Sequence, residues 1–258
     1  MSPSAGTRGL HRLRLGWLDA VTGDVDALAA RMDAALAAGA GLGVGFVNPH
    51  VYVTAADAPV VREHLGACDL VCVDGVGVAL AHRLAGRGRV PRTVAEHLFR
   101  TFWTGSRRAV PTIVIGIEPG TVGRAAAALD AASAGPRVVG ALDGFADDAS
   151  VRTFLGAHPH ARLVLIGAGS PRSEAIAAIA RRRLPDAVVF HCGAGTLKTW
   201  AGTKRRAPAA LSRLGLEWLH RIAFEPHARA RYLVGGPRFL AALLRQTPPT
   251  TDRRKALE

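Results

Sequence analysis

The sequence predicts an α/β protein: a Rossmann-like, mostly parallel sheet with helices on both faces. Three observations predict it. Short apolar runs alternate with segments of helical periodicity along the first 200 residues. The runs, such as Leu70-Val71-Cys72-Val73, are apolar throughout rather than alternating, as strands covered on both faces are. Glycines or single polar residues follow the runs, where a parallel strand turns into its next helix.

Residues 1–20 read as an irregular, partly basic arm, and residues 21–200 as the α/β core. Residues 24–38 are helical, because Val25, Leu28, Met32 and Leu36 recur at helical spacing, and the glycines of residues 39–43 stop them. Leu42–Val47 is an apolar strand ending at Asn48-Pro49, residues 58–65 a helix, and residues 69–73 a strand closed by Asp74-Gly75. Val76–Leu84 resumes a helix. Residues 112–115 are a strand, 116–120 a turn, and Thr121–Ala132 an alanine-rich helix. Residues 137–139 are a strand and 149–155 a helix; 162–166 are a strand, 167–170 a glycine turn, and 171–182 a helix with Pro171 at its first position. A strand over residues 187–191 runs into Gly193-Ala194-Gly195. Beyond Trp200 the order changes: residues 211–224 and 228–244 are helical and rich in Leu and Arg. Residues 201–247 therefore read as a helical basic appendage, and residues 248–258 as a disordered tail.

With 258 residues, 49% of them hydrophobic, the chain can bury one sizeable core, and disorder throughout is excluded. The net charge of +13 points to an anionic partner. The excess is uneven: from Lys198 onward 13 Lys/Arg face four acids, against 20 and 16 in the first 197 residues. Cys68, Cys72 and Cys192 are an odd, sparse set without a second Cys or His pair at ligand spacing, so they read as buried thiols in a reducing compartment rather than a metal site. Residues 1–14 lack the apolar stretch of a signal peptide, and no apolar run is long enough to span a membrane. The expected location is cytoplasmic.

Ligands of open parallel sheets bind beyond the C-terminal strand ends. Four features fall there: Asn48, Asp74, the turn of Gly116, Ile117 and Glu118, and the turn of Gly167, Gly169 and Ser170 leading to Pro171. Two of these turns open onto helix N-termini, which favour phosphate; tight packing alone also accounts for such glycines. The 167–169 turn lacks the third glycine of a dinucleotide fingerprint, and no phosphate-loop motif occurs. Asp74, flanked by Gly75 and Gly77, is the best single candidate for chemistry, a carboxylate placed to take a proton from an acceptor hydroxyl. Its other role would be to cap the next helix. Lys204, Arg205, Arg206, Arg221, Arg229 and Arg231, beside Leu214, Trp218, Leu219 and Phe224, suit a diphosphate or an acidic membrane surface. That apolar surface packing on the core is an equal alternative.

The segment from Ala201 to Pro208, with Leu214-Gly-Leu-Glu-Trp-Leu-His-Arg221 and Glu225-Pro226, resembles the C-terminal signature of the WecG/TagA/CpsF glycosyltransferases, glycosyltransferase family 26. Asp74-Gly75-Val76-Gly77 resembles that family's Asp-Gly-x-Gly, and residues 140–145, ending in Gly144 and Phe145, its Gly-x-x-x-Gly-Tyr/Phe turn. Residues 167–174, including Ser173 and Glu174, resemble its Gly-x-Gly-x-Pro-Lys-Gln-Glu. The resemblance implies inverting, metal-independent transfer of a hexosamine or its uronic acid, without a cofactor, from a UDP donor to a polyprenyl-diphosphate-linked sugar. It implies Asp74 as base, Asn48 and Arg92 beside it, and a nucleotide-sugar site that takes in Gly195 and Lys198 with the turns above. Four departures stand out: Phe46 replaces Thr, His97 closes an altered Arg92–Leu98 motif, Ser173 replaces Gln, and Lys198 replaces the Asp of Phe-Asp-Phe. A cation at Lys198 would favour an acidic donor group. Two further readings stay open: the same transfer to a small soluble acceptor, and a non-catalytic anion-binding protein. No nucleic-acid motif appears, and the oligomeric state is undetermined by sequence.

Overall fold

The computed structural model describes residues 10–74, 76–84, 88, 93–204 and 234–245. Its strands are β1 (Leu10–Leu15), β2 (Leu18–Gly23), β3 (Leu42–Val47), β4 (Leu70–Val73), β5 (Pro111–Gly116), β6 (Arg137–Leu142), β7 (Leu163–Gly167) and β8 (Val188–His191). They form one sheet in the order β1-β2-β4-β3-β8-β7-β5-β6. Among the described residues only the β1–β2 pair is antiparallel; the other pairings, from β2–β4 to β5–β6, are parallel. The α/β sheet expected from the apolar runs is therefore present.

Helices α1 (Val25–Ala38), α5 (Ala95–Gly105), α6 (Thr121–Ala132) and α9 (Ala194–Trp200) cover one face. Leu28, Met32, Phe99, Trp103, Leu129 and Leu197 pack there against Val44, Phe46, Leu165 and Phe190. Alternate strand residues point to the opposite face. There Val47, Val71 and Val73 meet α2 (Pro49–Asp57), α3 (Pro59–Ala67) and α4 (Val76–Leu84), while Ile115, Val164 and Val189 meet α7 (Asp148–Ala157) and α8 (Arg172–Arg183). Burial on both faces explains why β3, β4, β7 and β8 carry no exposed position. In the first layer Phe99 stacks between Trp103 and Phe190 at 5.6 and 5.8 Å, and Trp103 Nε1 donates to the Leu129 carbonyl at 2.9 Å. That bond satisfies the indole N–H in a fully buried position.

One expectation needs correction, and two gain detail. The arm expected over residues 1–20 is a β-hairpin from Leu10 onward, its earlier residues lying outside the described ones. His11, Arg12 and Arg14, which suggested a loose arm, are the outward charges of an edge strand. Asn48-Pro49, read as a strand stop, also starts α2, with Asn48 as N-cap and Pro49 in the first turn. Of the residues read as an appendage, the described 234–245 contain α10 (Gly235–Arg245), which packs on the core: Phe239 and Leu243 are 1% and 0% exposed, and Phe239 meets Tyr52 of α2 edge to face at 5.0 Å. The helix expected over residues 211–224, the start of the one over 228–244, and the 248–258 tail lie outside the described residues.

Candidate functional site along the C-terminal sheet edge

Parallel strands deliver their C-terminal ends to one edge. In spatial order that edge carries Asp74 after β4, Asn48 after β3, Gly193 after β8, residues 167–171 after β7, residues 116–118 after β5 and residues 143–145 after β6. The sheet thus aligns six sequence-distant segments in one row. The ends of β4 and β5 lie four strand spacings apart, roughly 19 Å at the usual interstrand distance.

At one end of the row, the Asp74 N–H donates to the Val47 carbonyl at 2.9 Å, which fixes the end of β4 beside that of β3. The Thr93 N–H bonds the Val73 carbonyl at 2.9 Å, and the Ala95 N–H approaches Asp74 Oδ1 at 3.4 Å. Asp74 thus leans on the first turn of α5 through a contact longer than an ordinary N–H···O bond. Asn48 Oδ1 accepts from the Val51 N–H at 3.0 Å. This cap occupies its oxygen, so Nδ2 is the group left to serve a ligand. Arg92, expected beside these two, lies outside the described residues.

At the other end, β5 and β7 approach so closely that a Cβ on Gly116 would stand 2.4 Å from the Gly167 carbonyl oxygen. Ile117 holds a left-handed φ of 47°, which a β-branched residue rarely adopts. Its neighbours pin it there: its N–H donates to Gly167 O at 3.0 Å, its carbonyl accepts from the Gly144 N–H at 2.9 Å, and it is 3% exposed. Such strain costs about 1–3 kcal/mol and concentrates at ligand sites. The consequence is a fixed floor joining the β5, β6 and β7 ends, above which Glu118 and Phe145 project. Phe145, 75% exposed, is the most exposed large hydrophobic side chain among the described residues.

Lys198 does not stand as the unpaired cation that its place in the sequence suggests. Its ammonium meets Glu118 Oε1 at 2.5 Å, joining α9 to the β5–α6 loop. The Lys198 hydrogen bond holds the Glu118 carboxyl below its usual range. The argument from Lys198 to an acidic donor therefore loses its premise.

The 167–174 segment is built differently from its expected contact role. Gly169 takes a φ of 80°, the Ala168 N–H donates to Ser173 Oγ at 2.9 Å, and the Ser173 N–H to Gly169 O at 2.7 Å. Ser173 and Glu174 are both 0% exposed, so they shape the turn from beneath, whereas Ser170 and Pro171 lie nearer the surface. Gly195 packs against Lys204, whose Nζ would be 3.1 Å from a Cβ there. Arg205, Arg206, Arg221, Arg229 and Arg231 lie outside the described residues.

Beneath this turn lies a polar cluster that sequence reasoning missed. Glu174 Oε1 is 3.9 Å from His191 Nδ1, the His191 and His64 rings meet at 6.1 Å, and His64 Nε2 is 3.4 Å from Cys68 Sγ. Neither Glu174 oxygen closes a well-formed hydrogen bond among the described residues, although the Ser170 hydroxyl lies beside them. Burial pushes Glu174 up, His191 down to about 4, and His64, with help from His191 and Arg181, down to about 3. Burial also raises all three thiols to about 12, consistent with unreactive cysteines. His191 had a weak signal, a polar residue ending an apolar strand; His64, a lone histidine on a helix, had none.

A cavity of about 330 Å³ lined by Arg12, Trp17, Asp19, Leu65 and Asp69 lies toward the opposite end of the sheet, where β4 begins. Among the described residues no group of three or more His, Cys, Asp or Glu is placed to hold a metal, and no helix is long and apolar enough to cross a membrane. The family model described as the glycosyl transferase WecG/TagA/CpsF family matches residues 16–253, nearly the whole chain and every strand end in the row. The protein therefore belongs to the WecG/TagA/CpsF family of glycosyltransferases and is a hexosyltransferase of nucleotide-sugar transfer in cell-surface polymer synthesis.

Proposed function

We propose that the protein moves a hexosamine or uronic-acid-type sugar, with inversion, from a UDP donor to a polyprenyl-diphosphate-linked sugar. Asp74 is the general base. The observation that carries this reading is the separation of two chemistries along one sheet edge: a carboxylate and an amide at β4 and β3, and a rigid glycine floor with an exposed aromatic at β7, β5 and β6. The intervening distance suits an extended nucleotide sugar, with its base toward Phe145 and its anomeric carbon toward Asp74.

In the reaction the acceptor oxygen forms a bond to the anomeric carbon as the bond to the diphosphate breaks. The diphosphate departs with the electron pair, and the acceptor proton passes to Asp74. The 169–171 turn, at the N-terminal end of α8, is the side on which the departing phosphates lie. The step needs no metal in this account. We assign Arg92 to the reacting centre, and Lys204, Arg205, Arg206, Arg221, Arg229 and Arg231 to the acceptor diphosphate and the anionic surface of the membrane.

The test is calorimetric titration with a panel of nucleoside diphosphates and their sugars, followed by assay of the binding donor with lipid-linked and water-soluble acceptors. The reading expects UDP to bind and the lipid-linked acceptor to be consumed, with product of inverted anomeric configuration. Turnover on soluble acceptors alone would transfer the enzyme to small-molecule glycosylation. Absence of binding by every nucleotide would refute the donor assignment.

A further inference from the structure

The Glu118–Lys198 pair has a role that stability does not supply. Both side chains are well exposed, 45% and 38%, and exposed pairs of this kind contribute about 0–1 kcal/mol. The pair is nevertheless set with care. Ile117, locked in its unusual backbone conformation, aims Glu118 out of the floor, and the Glu118 carbonyl receives the Thr121 and Val122 N–H groups at the start of α6. Lys198, on α9, draws this carboxylate in from the neighbouring loop.

We propose that Glu118 reads the ribose of the donor nucleotide, accepting hydrogen bonds from its vicinal 2′- and 3′-hydroxyls, with Lys198 as the positioning residue that fixes the carboxylate. The inference rests on the nucleotide-donor reading above. An ionised carboxylate is an acceptor only, with about four lone-pair sites, of which the ammonium takes one. It suits two adjacent hydroxyl donors and repels phosphate. The diphosphate must then lie away from β5, toward the 169–171 turn and α8, and the reacting sugar beyond it toward β3 and β4. Phe145 sits next along the edge, on the β6 loop tied through Gly144 to Ile117, where a base can stack. A carboxylate at a strand end bonding ribose hydroxyls is a recurrent solution in doubly wound sheets.

The experiment titrates the full chain with UDP and 2′-deoxy-UDP, and with GDP and 2′-deoxy-GDP, for the wild type, Glu118→Gln and Lys198→Met. Loss of a hydrogen bond to a charged acceptor predicts that the wild type prefers the ribonucleotide by about 10- to 100-fold. In Glu118→Gln the preference falls to about threefold or less while affinity for the deoxynucleotide holds; Lys198→Met shows an intermediate preference. A variant that weakens both sugars equally would make the pair a structural tie and overturn the proposal, as would a wild type indifferent to the 2′-hydroxyl. Ribose discrimination with GDP alone would sustain the role of Glu118 while refuting UDP as donor. Binding of neither nucleotide would overturn both readings.

Discussion

Acid should unfold this protein through His64 and His191, and the size of the effect follows from their burial. Both are nearly inaccessible, at 5% and 8% exposure, and their pKa values fall from 6.5 to about 3 and about 4. In the unfolded chain each titrates near 6.5, so between there and pH 4 the unfolded state binds protons that the native state refuses. Stability then falls as pH falls, by up to about 1.4 kcal/mol per pH unit for each histidine. Over two units, from pH 6.5 to 4.5, the pair costs roughly 5 kcal/mol, a large part of the 5–15 kcal/mol that holds a typical domain. Glu174, facing His191 from α8, acts in the opposite sense: its raised pKa lets the native state take a proton early, which offsets part of the loss. Arg181 of the same helix, together with His191, disfavours protonation of His64, while Cys68 stays a neutral thiol and Asp69 meets Arg181 at 3.7 Å. The assay is urea unfolding followed by tryptophan fluorescence at pH 7.5, 6.5, 5.5 and 4.5, for the wild type and His64→Gln/His191→Asn. The readout is the slope, so a lower stability of the variant at pH 7.5 does not confuse it. The variant should lose most of the decline between pH 6.5 and 4.5; an unchanged slope would refute the reasoning.

Phe239→Ala should destabilise the fold by about 3–5 kcal/mol in urea unfolding, since its ring is 1% exposed against Tyr52; a loss under about 1 kcal/mol would show α10 to be loosely attached. Gly116→Ala places a methyl against the Gly167 backbone; the overpacking should cost about 1–3 kcal/mol, and displacement of Ile117 and Glu118 should weaken nucleotide binding at least tenfold. Calorimetry showing normal affinity would contradict the rigid floor. Phe145→Ala should leave the melting temperature within about a degree or two, because surface substitutions rarely exceed ±0.5 kcal/mol, yet reduce nucleotide affinity several-fold.

The sheet was legible because burial on both faces writes itself into the sequence as unbroken apolar runs, and Leu42–Val47 is recovered residue for residue. The helices were less so. Asn48-Pro49 carries the signals of a strand stop and of a helix start together, and only the fold shows that both operate. Residues 10–23 hid their hairpin because an edge strand exposes as many charges as a loop. In the site, the positions of Asp74, Asn48, Gly116 and Gly167 followed from strand ends, which depend on local sequence. The Glu118–Lys198 pair joins residues 80 apart in the chain, and the Glu174–His191–His64 cluster joins β8, α8 and α3. Such long-range pairings have no local signature, so Lys198 read alone as a positive charge when its neighbour had already met it.

The central claim is that Asp74 accepts the proton of the attacking hydroxyl. Its most direct test measures donor binding and turnover side by side in the wild type and Asp74→Asn, which keeps the shape and the acceptor oxygen facing Ala95 but removes the base. The account predicts nucleotide affinity within about threefold of wild type and kcat reduced by a factor of about 10² to 10⁴, the usual worth of a general base. A variant that binds the donor and retains more than a tenth of the wild-type kcat would show that the base is another group.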